Sequence, residues 1–83
     1  MKKAAGLKYK LGDNAPKIIG LGKGNVAEKI IELAKEKDIP IVQNPLLANE
    51  LTKLDLYQEI PPELYAAVAE ILAFIYKTSK DIP

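Results

Sequence analysis

Residues 38–45, D-I-P-I-V-Q-N-P, contain a short apolar run between segments with helical patterns. The isoleucines and the valine of this run are β-branched, which favours an extended backbone. The run ends at the pair Asn44-Pro45, with one helical pattern before it and two after it. A short apolar run bounded in this way is typical of a buried strand between helices, so we predict a strand at residues 39–43.

The chain before this run contains two more strand patterns and one helix pattern. Residues 4–11 alternate between apolar and lysine side chains, as in a strand with one face in water. Residues 17–21 form a short buried strand closed by glycines, and residues 25–37 carry apolar side chains at helical spacing. Strand, helix and the strand at residues 39–43 predict a βαβ unit, parallel and right-handed.

Two asparagines are predicted to start helices. Asn25 is followed three residues later by Glu28, which resembles a capping box. Asn44 can cap the next helix with Pro45 at its first position, where a missing N–H is harmless. That helix is expected to run to about Leu54.

The last helix pattern covers residues 62–77, and apolar side chains extend around most of its circumference. One sheet cannot cover so much apolar surface. Residues 78–83 are expected to fray. The predicted fold is a single α/β (α+β) domain over residues 1–83, with its core at about residues 4–77. It has a small mixed sheet of about three strands containing the βαβ unit, flanked by three helices.

The composition excludes several classes of function. The 83 residues are 48% hydrophobic and 28% charged with a formal net charge of +1, as in an ordinary globular domain. Arginine is absent and the charges are interspersed, so we expect no nucleic-acid partner. The absence of Cys and His removes thiolate and imidazole ligands and the commonest general base. We therefore expect no catalytic residue, no metal site and no cofactor.

The longest apolar run, residues 64–76, contains Glu70 and is too short to cross a bilayer. The N-terminus shows no signal-peptide pattern. These features predict a soluble cytoplasmic protein.

Residues 20–25, G-L-G-K-G-N, follow a strand and open a helix, where an anion could bind to free N–H groups. Gly22, Lys23, Gly24 and Asn25 would form that site. The spacing matches neither of the common nucleotide-binding loops. A tight turn between strand and helix is the favoured interpretation of the same residues.

Charged residues elsewhere have plain explanations. Glu28, Glu32 and Glu36 lie along a solvated helix face. Lysines 8, 10 and 17 could form a basic edge to the sheet, or could protect an edge strand against aggregation.

Five sequence blocks carry a family resemblance. They are L-K-Y at residues 7–9, A-P-K-I-I at 15–19, G-K-G-N-V-A-E-K-I-I-E-L-A at 22–34, I-P-I-V-Q-N-P-L-L-A at 39–48 and I-P-P-E-L-Y-A-A-V-A-E-I-L-A-F-I-Y at 60–76. In this order and spacing they resemble the cytoplasmic C-terminal domain of the FlhB/YscU family. Those proteins are the export switches of flagellar and injectisome type III secretion. The resemblance covers residues 4 to about 77.

Members of that family cut themselves between Asn and Pro of an Asn-Pro-Thr-His motif that follows a strand. On this sequence Met1 falls at the Thr position and Lys2 at the His position. The resemblance therefore implies the downstream cleavage fragment on its own, non-enzymatic and without self-cleavage. The pair Asn44-Pro45 does not replace the motif, because two leucines follow it where Thr and His are needed.

The resemblance also implies a docking patch for early export substrates, where the loop before the second strand meets the last helix. Ala15, Pro16, Ala69 and Leu72 occupy those positions. The alternative is that Ala69 and Leu72 belong to the ordinary core.

By resemblance, the chain is expected to substitute for the downstream fragment in docking export substrates or gate components. Export-gate proteins, export substrates or their chaperones, and the upstream strand of a full-length switch protein are the expected partners. The expected place is the cytoplasm, at the base of the export apparatus, as a monomer or with weak self-association. The alternative function is a small regulatory domain that binds a nucleotide or other anion at residues 20–25.

Overall fold

The computed structural model describes residues 1–78, and these contain two strands, three α-helices and one 3-10 turn. In chain order the elements are β1 (Lys3–Lys8), β2 (Lys17–Lys23), α1 (Asn25–Glu36), α2 (Pro45–Leu51), the 3-10 turn (Pro62–Leu64) and α3 (Tyr65–Thr78). Helix α3 ends at residue 78, the first residue of the tail that the sequence predicts to fray. The remainder of that predicted tail, residues 79–83, lies outside the described residues.

The strands β1 and β2 form an antiparallel hairpin with one irregularity. Gly6 pairs with Gly20, but the next pair joins Leu7 to Ile18, so Ile19 is an extra residue in β2. This β-bulge changes which side chains face inward. Ile18 is fully buried, whereas Ile19 is 49% exposed.

Residues 57–60 close the other edge of β2 near its start. The Ile18 N–H donates to the Gln58 carbonyl at 2.9 Å, and the Tyr57 N–H donates to the Ile18 carbonyl at 2.6 Å. The hairpin and the second half of the chain are therefore joined by backbone hydrogen bonds as well as by side-chain packing.

Different helices cover the two sides of the hairpin. Helices α2 and α3 pack on one side, where the buried core residues are Ala15, Ile18, Leu47, Leu51, Ile60 and Val68. Helix α1 packs on the other side through Ala27, which is fully buried. A Cβ atom on Gly22 would lie 2.8 Å from side-chain carbons of Val26 and Ile30, so α1 rests directly on the backbone of β2.

The strand predicted at residues 39–43 is wrong. These residues follow Asp38, which has φ 57°, and form a loop without sheet pairing in the described part of the chain. Ile39 is 52% exposed rather than buried. A β-branched run forms a strand only where it pairs with another strand, and within residues 1–78 this run pairs with neither β1 nor β2.

The predicted βαβ unit and mixed three-stranded sheet are therefore wrong as well. The sheet has two antiparallel strands within residues 1–78. The α+β class and the three helices are confirmed.

The first strand ends at Lys8, before the predicted end at Leu11. A turn follows, in which the Lys10 N–H donates to the Asp13 carboxylate and the Asp13 N–H donates to the Lys10 carbonyl, both at 3.0 Å. Leu11 lies in this turn and is 98% exposed. The alternating pattern therefore predicts too long a strand, because the backbone from Lys10 to Asp13 forms hydrogen bonds within a turn instead of pairing with β2.

The predicted cap of α2 is confirmed. The Asn44 Oδ1 accepts a hydrogen bond from the Leu47 N–H at 3.1 Å, and Pro45 is the first residue of the helix. The helix ends at Leu51, earlier than predicted, because the Leu54 N–H bonds to the Leu51 carbonyl in a following turn.

The predicted capping box of α1 is wrong. Its N-cap is Gly24, at φ 58°, and no side chain caps the helix. The Gly24 N–H donates to the Lys2 carbonyl at 2.7 Å, which ties this turn to the residue before β1. Asn25 is instead the first helical residue, with its side chain exposed.

Candidate functional site

An apolar groove of about 400 Å³ lies between α3 and the residues that lead into β2. Its lining residues are Tyr9, Asn14, Ala15, Pro16, Ile60, Tyr65, Val68, Ala69, Leu72, Ala73 and Tyr76. We call this surface the docking groove. Its base is continuous with the hydrophobic core, since Ile60 and Val68 belong to both.

All four residues of the patch implied by resemblance line the docking groove. Ala15 and Pro16 are buried at its base, Leu72 is half-buried, and Ala69 is exposed. Ala15 and Leu72 also contact the core, whereas Ala69 presents its methyl group to the groove and to solvent. The structure thus brings the four residues together, while their role in docking stays a prediction.

Three tyrosines complete the groove. Tyr65 and Tyr76 project from α3 and Tyr9 from the end of the hairpin, all with exposed rings. None of the three belongs to the patch implied by the resemblance. Helical spacing could have identified two of the three, because Tyr65, Ala69, Leu72 and Tyr76 follow one another at steps of four, three and four residues along α3.

The chemistry of the docking groove is that of a binding surface. No charged residue lines it, and its polar groups are the Asn14 side chain and the tyrosine hydroxyls. Aromatic rings with a polar tip suit partly hydrated interfaces. No cluster of His, Cys, Asp or Glu that could hold a metal ion occurs in residues 1–78.

The glycines of the predicted anion site are engaged in contacts within the fold. Gly22 is buried beneath α1 and cannot contact a ligand. Gly24 forms the turn and its N–H is already bonded to the Lys2 carbonyl. Lys23, at the end of β2, and Asn25 are exposed. The tight-turn interpretation of this loop fits these contacts, and the anion-binding alternative receives no support from them.

Backbone groups without a partner occur in at least two stretches of residues 1–78. β1 pairs with β2 along one edge, and no strand pairs with its other edge in the described chain; we call this the open edge. The N–H groups of Ile41, Val42 and Gln43 also find no acceptor within residues 1–78. Unpaired strand edges are places where another extended chain can add.

None of the helices in residues 1–78 is long and apolar enough to cross a membrane.

Comparison with known proteins shows where this fold occurs. The model of the FlhB HrpN YscU SpaS family matches residues 2–75. YlqH of Bacillus subtilis is 40% identical over 83 residues, covering 99% of this chain and 89% of YlqH. The flagellar biosynthetic protein FlhB of Aquifex aeolicus is 41% identical over 71 residues, covering 84% of this chain but 20% of FlhB.

Solved structures give the same result. The cytoplasmic domain of FlhB from Shewanella putrefaciens superposes with a TM-score of 0.84 at 39% identity, covering 89% of this chain and 62% of that domain. This chain spans about a fifth of FlhB itself. The chain belongs to the FlhB/HrpN/YscU/SpaS family and has the fold of that family's cytoplasmic C-terminal domain.

Proposed function

We propose that this protein is a non-enzymatic binding module of the flagellar or type III protein export apparatus, and that it docks export substrates in the docking groove. In this it would stand in for the downstream fragment of the export-switch protein. The observation that carries the proposal is the meeting of Ala15, Pro16, Ala69 and Leu72 in one groove. Cytoplasmic placement at the base of the apparatus belongs to the same proposal.

The size and lining of the groove indicate what it can hold. A volume of about 400 Å³ accommodates one or two large apolar side chains. Burying one such side chain contributes about 1.5–3 kcal/mol before the entropic cost of association. Affinity from this groove alone is therefore expected to be weak, as suits a substrate that must be released into a channel.

Orientation would come from the polar groups at the rim. The Asn14 amide and the hydroxyls of Tyr9, Tyr65 and Tyr76 can bond to the backbone of a bound segment. The alanines of α3 keep the groove open, since a larger side chain at Ala69 or Ala73 would fill it.

The test is titration of the ¹⁵N-labelled protein with a peptide from the N-terminal segment of an early flagellar export substrate. The amide resonances of Asn14 and Ala15 and of the groove face of α3 are expected to shift. Ala69→Glu should abolish the shifts while the rest of the spectrum stays folded. Ala66→Glu is the matched control, because Ala66 is exposed on α3 but does not line the groove. Equal binding by the wild type and Ala69→Glu would remove the proposal, and unfolding of Ala69→Glu alone would assign this residue to the core.

A second partner follows from the open edge. We propose that the upstream strand of a full-length switch protein adds to this edge by β-augmentation. The unpaired N–H groups at residues 41–43 and the exposed side chain of Ile39 lie in a second segment that an added strand could use. A peptide of that upstream strand is expected to raise the melting temperature of the protein. Absence of any rise at millimolar peptide would rule this partner out.

A further inference from the structure

A second concave surface lies on the outward side of the hairpin. It encloses about 350 Å³ and is lined by Lys8, Lys10, Asp13, Lys17, Ile19 and Tyr57. We call it the basic cleft. It uses the same hairpin as the docking groove but shares no lining residue with it.

The positive charges of the lysines in the basic cleft lie close together and are not neutralised by ion pairs within residues 1–78. Lys8 and Lys17 are direct partners across the ladder of β1 and β2. Like charges at such positions destabilise a hairpin. The single ion pair in residues 1–78 joins Lys53 to Glu50, so no ion pair relieves the repulsion between the two cleft lysines.

Two acidic side chains nearby do not neutralise the cleft. The Asp13 carboxylate accepts a hydrogen bond from the Lys10 backbone N–H and is held in its own turn. Glu59 lies opposite Lys17 in a β-bridge but forms no ion pair with it. The cleft wall itself has three ammonium groups and one carboxylate, and its charge is therefore positive.

The cleft also offers apolar surface. The bulge turns Ile19 away from the core, and its side chain forms part of the lining. Tyr57 is 71% exposed and is fixed at φ 68°, with its N–H bonded to the Ile18 carbonyl. Its ring offers apolar area to a ligand, and its hydroxyl can donate to a carboxylate.

We propose that the basic cleft binds an acidic, extended segment of a partner protein. An apolar side chain of that segment would lie on Ile19, and carboxylates on either side would meet Lys8, Lys10 and Lys17. Charge complementarity selects this occupant, since bound carboxylates would remove the repulsion between Lys8 and Lys17.

The experiment uses the full chain and a fluorescent, end-blocked peptide of sequence Glu-Asp-Leu-Asp-Glu. The peptide is expected to shift the amide resonances of residues 8–19 and Tyr57, and to bind more weakly as salt is raised. Lys17→Glu should weaken binding by roughly tenfold or more, because it removes one attraction and adds one repulsion. Lys29→Glu, on the exposed face of α1, makes the same change in net charge away from the cleft and should leave affinity within about twofold of wild type.

Lys8→Glu separates binding from folding. It places opposite charges across the ladder, so the melting temperature should rise while peptide binding falls. Lys10→Glu repeats the binding test outside the ladder, where strand pairing is unchanged.

Three results would overturn the proposal. The first is no shift at the cleft, and the second is equal loss of affinity in Lys17→Glu and Lys29→Glu, which would mean unspecific attraction. The third is a combination of two observations: the peptide's affinity does not change when its leucine is replaced by alanine, and inorganic phosphate shifts the same amide resonances. That pattern would describe a small-anion site rather than a site for a protein segment.

Discussion

A Cβ atom placed on Gly22 would lie 2.9 Å from the backbone nitrogen of Ala27, the buried residue through which α1 packs on β2. A backbone atom cannot move aside for an added Cβ as easily as the end of a flexible side chain can. Helix α1 and the hairpin are therefore in contact at a point where only hydrogen fits.

Gly22→Ala is accordingly expected to lower the free energy of unfolding by about 1–3 kcal/mol, the range for overpacking. Urea denaturation measures the change. Gly20→Ala in the same strand is the control, since the nearest atom to its added Cβ would be 3.9 Å away, and it should shift stability by less than about 1 kcal/mol. Equal losses in both variants would show that strand propensity, and not the contact with α1, is responsible.

Adjacent isoleucines should respond differently to truncation. Ile18→Ala is expected to cost about 2–5 kcal/mol, because this side chain is fully buried in the core. Ile19→Ala should cost less than about 1 kcal/mol, since the bulge leaves Ile19 partly in solvent. Denaturant midpoints of the two variants provide the comparison, and similar values would contradict the observed register.

The two asparagines at the starts of α1 and α2 make a second matched pair. Asn44→Ala removes the acceptor for the Leu47 N–H and should destabilise the protein by about 1 kcal/mol, while Asn44→Asp should retain most of the stability. Asn25→Ala should change stability little, because no side chain caps α1. Thermal unfolding would distinguish the variants. A loss of stability in Asn25→Ala as large as that in Asn44→Ala would contradict the assigned caps.

Hydrogen exchange provides a test of strand addition at the level of single residues. In the isolated protein the amides of Ile41, Val42 and Gln43 should exchange rapidly, because they have no acceptor within residues 1–78. An upstream strand that pairs with this segment should slow them at least roughly tenfold. If instead only amides of β1 gain protection, the strand adds at the open edge alone.

Local chemistry in the sequence predicted the features that depend on neighbouring residues. The Asn44 cap with Pro45 after it, the hairpin strands and the apolar character of α3 all follow from patterns within a few residues. The docking groove could be anticipated because excess apolar surface on α3 and the implied patch at Ala69 converge there.

Features that depend on distant partners could not be predicted in this way. Whether residues 39–43 form a strand depends on pairing with a segment distant in sequence, and the pattern of their own side chains carries no information about that pairing. The N-cap of α1 is Gly24 rather than Asn25, and the Gly24 N–H bonds to the carbonyl of Lys2, which is far away in sequence. The sequence pattern could not predict the bulge at Ile19, because Ile18 and Ile19 are the same residue type and either could face the core.

The equivalence of Ile18 and Ile19 has a consequence for the uniqueness of the fold. Moving the bulge by one position would exchange Ile18 for Ile19, which has the same side chain, so the apolar pattern of the hairpin does not by itself distinguish the two registers. The backbone bonds from Ile18 to Tyr57 and Gln58 exist in one of them. Residues 57–60 therefore favour one of the two registers of β1 and β2. If this segment detached from β2, the hairpin would be free to populate both registers.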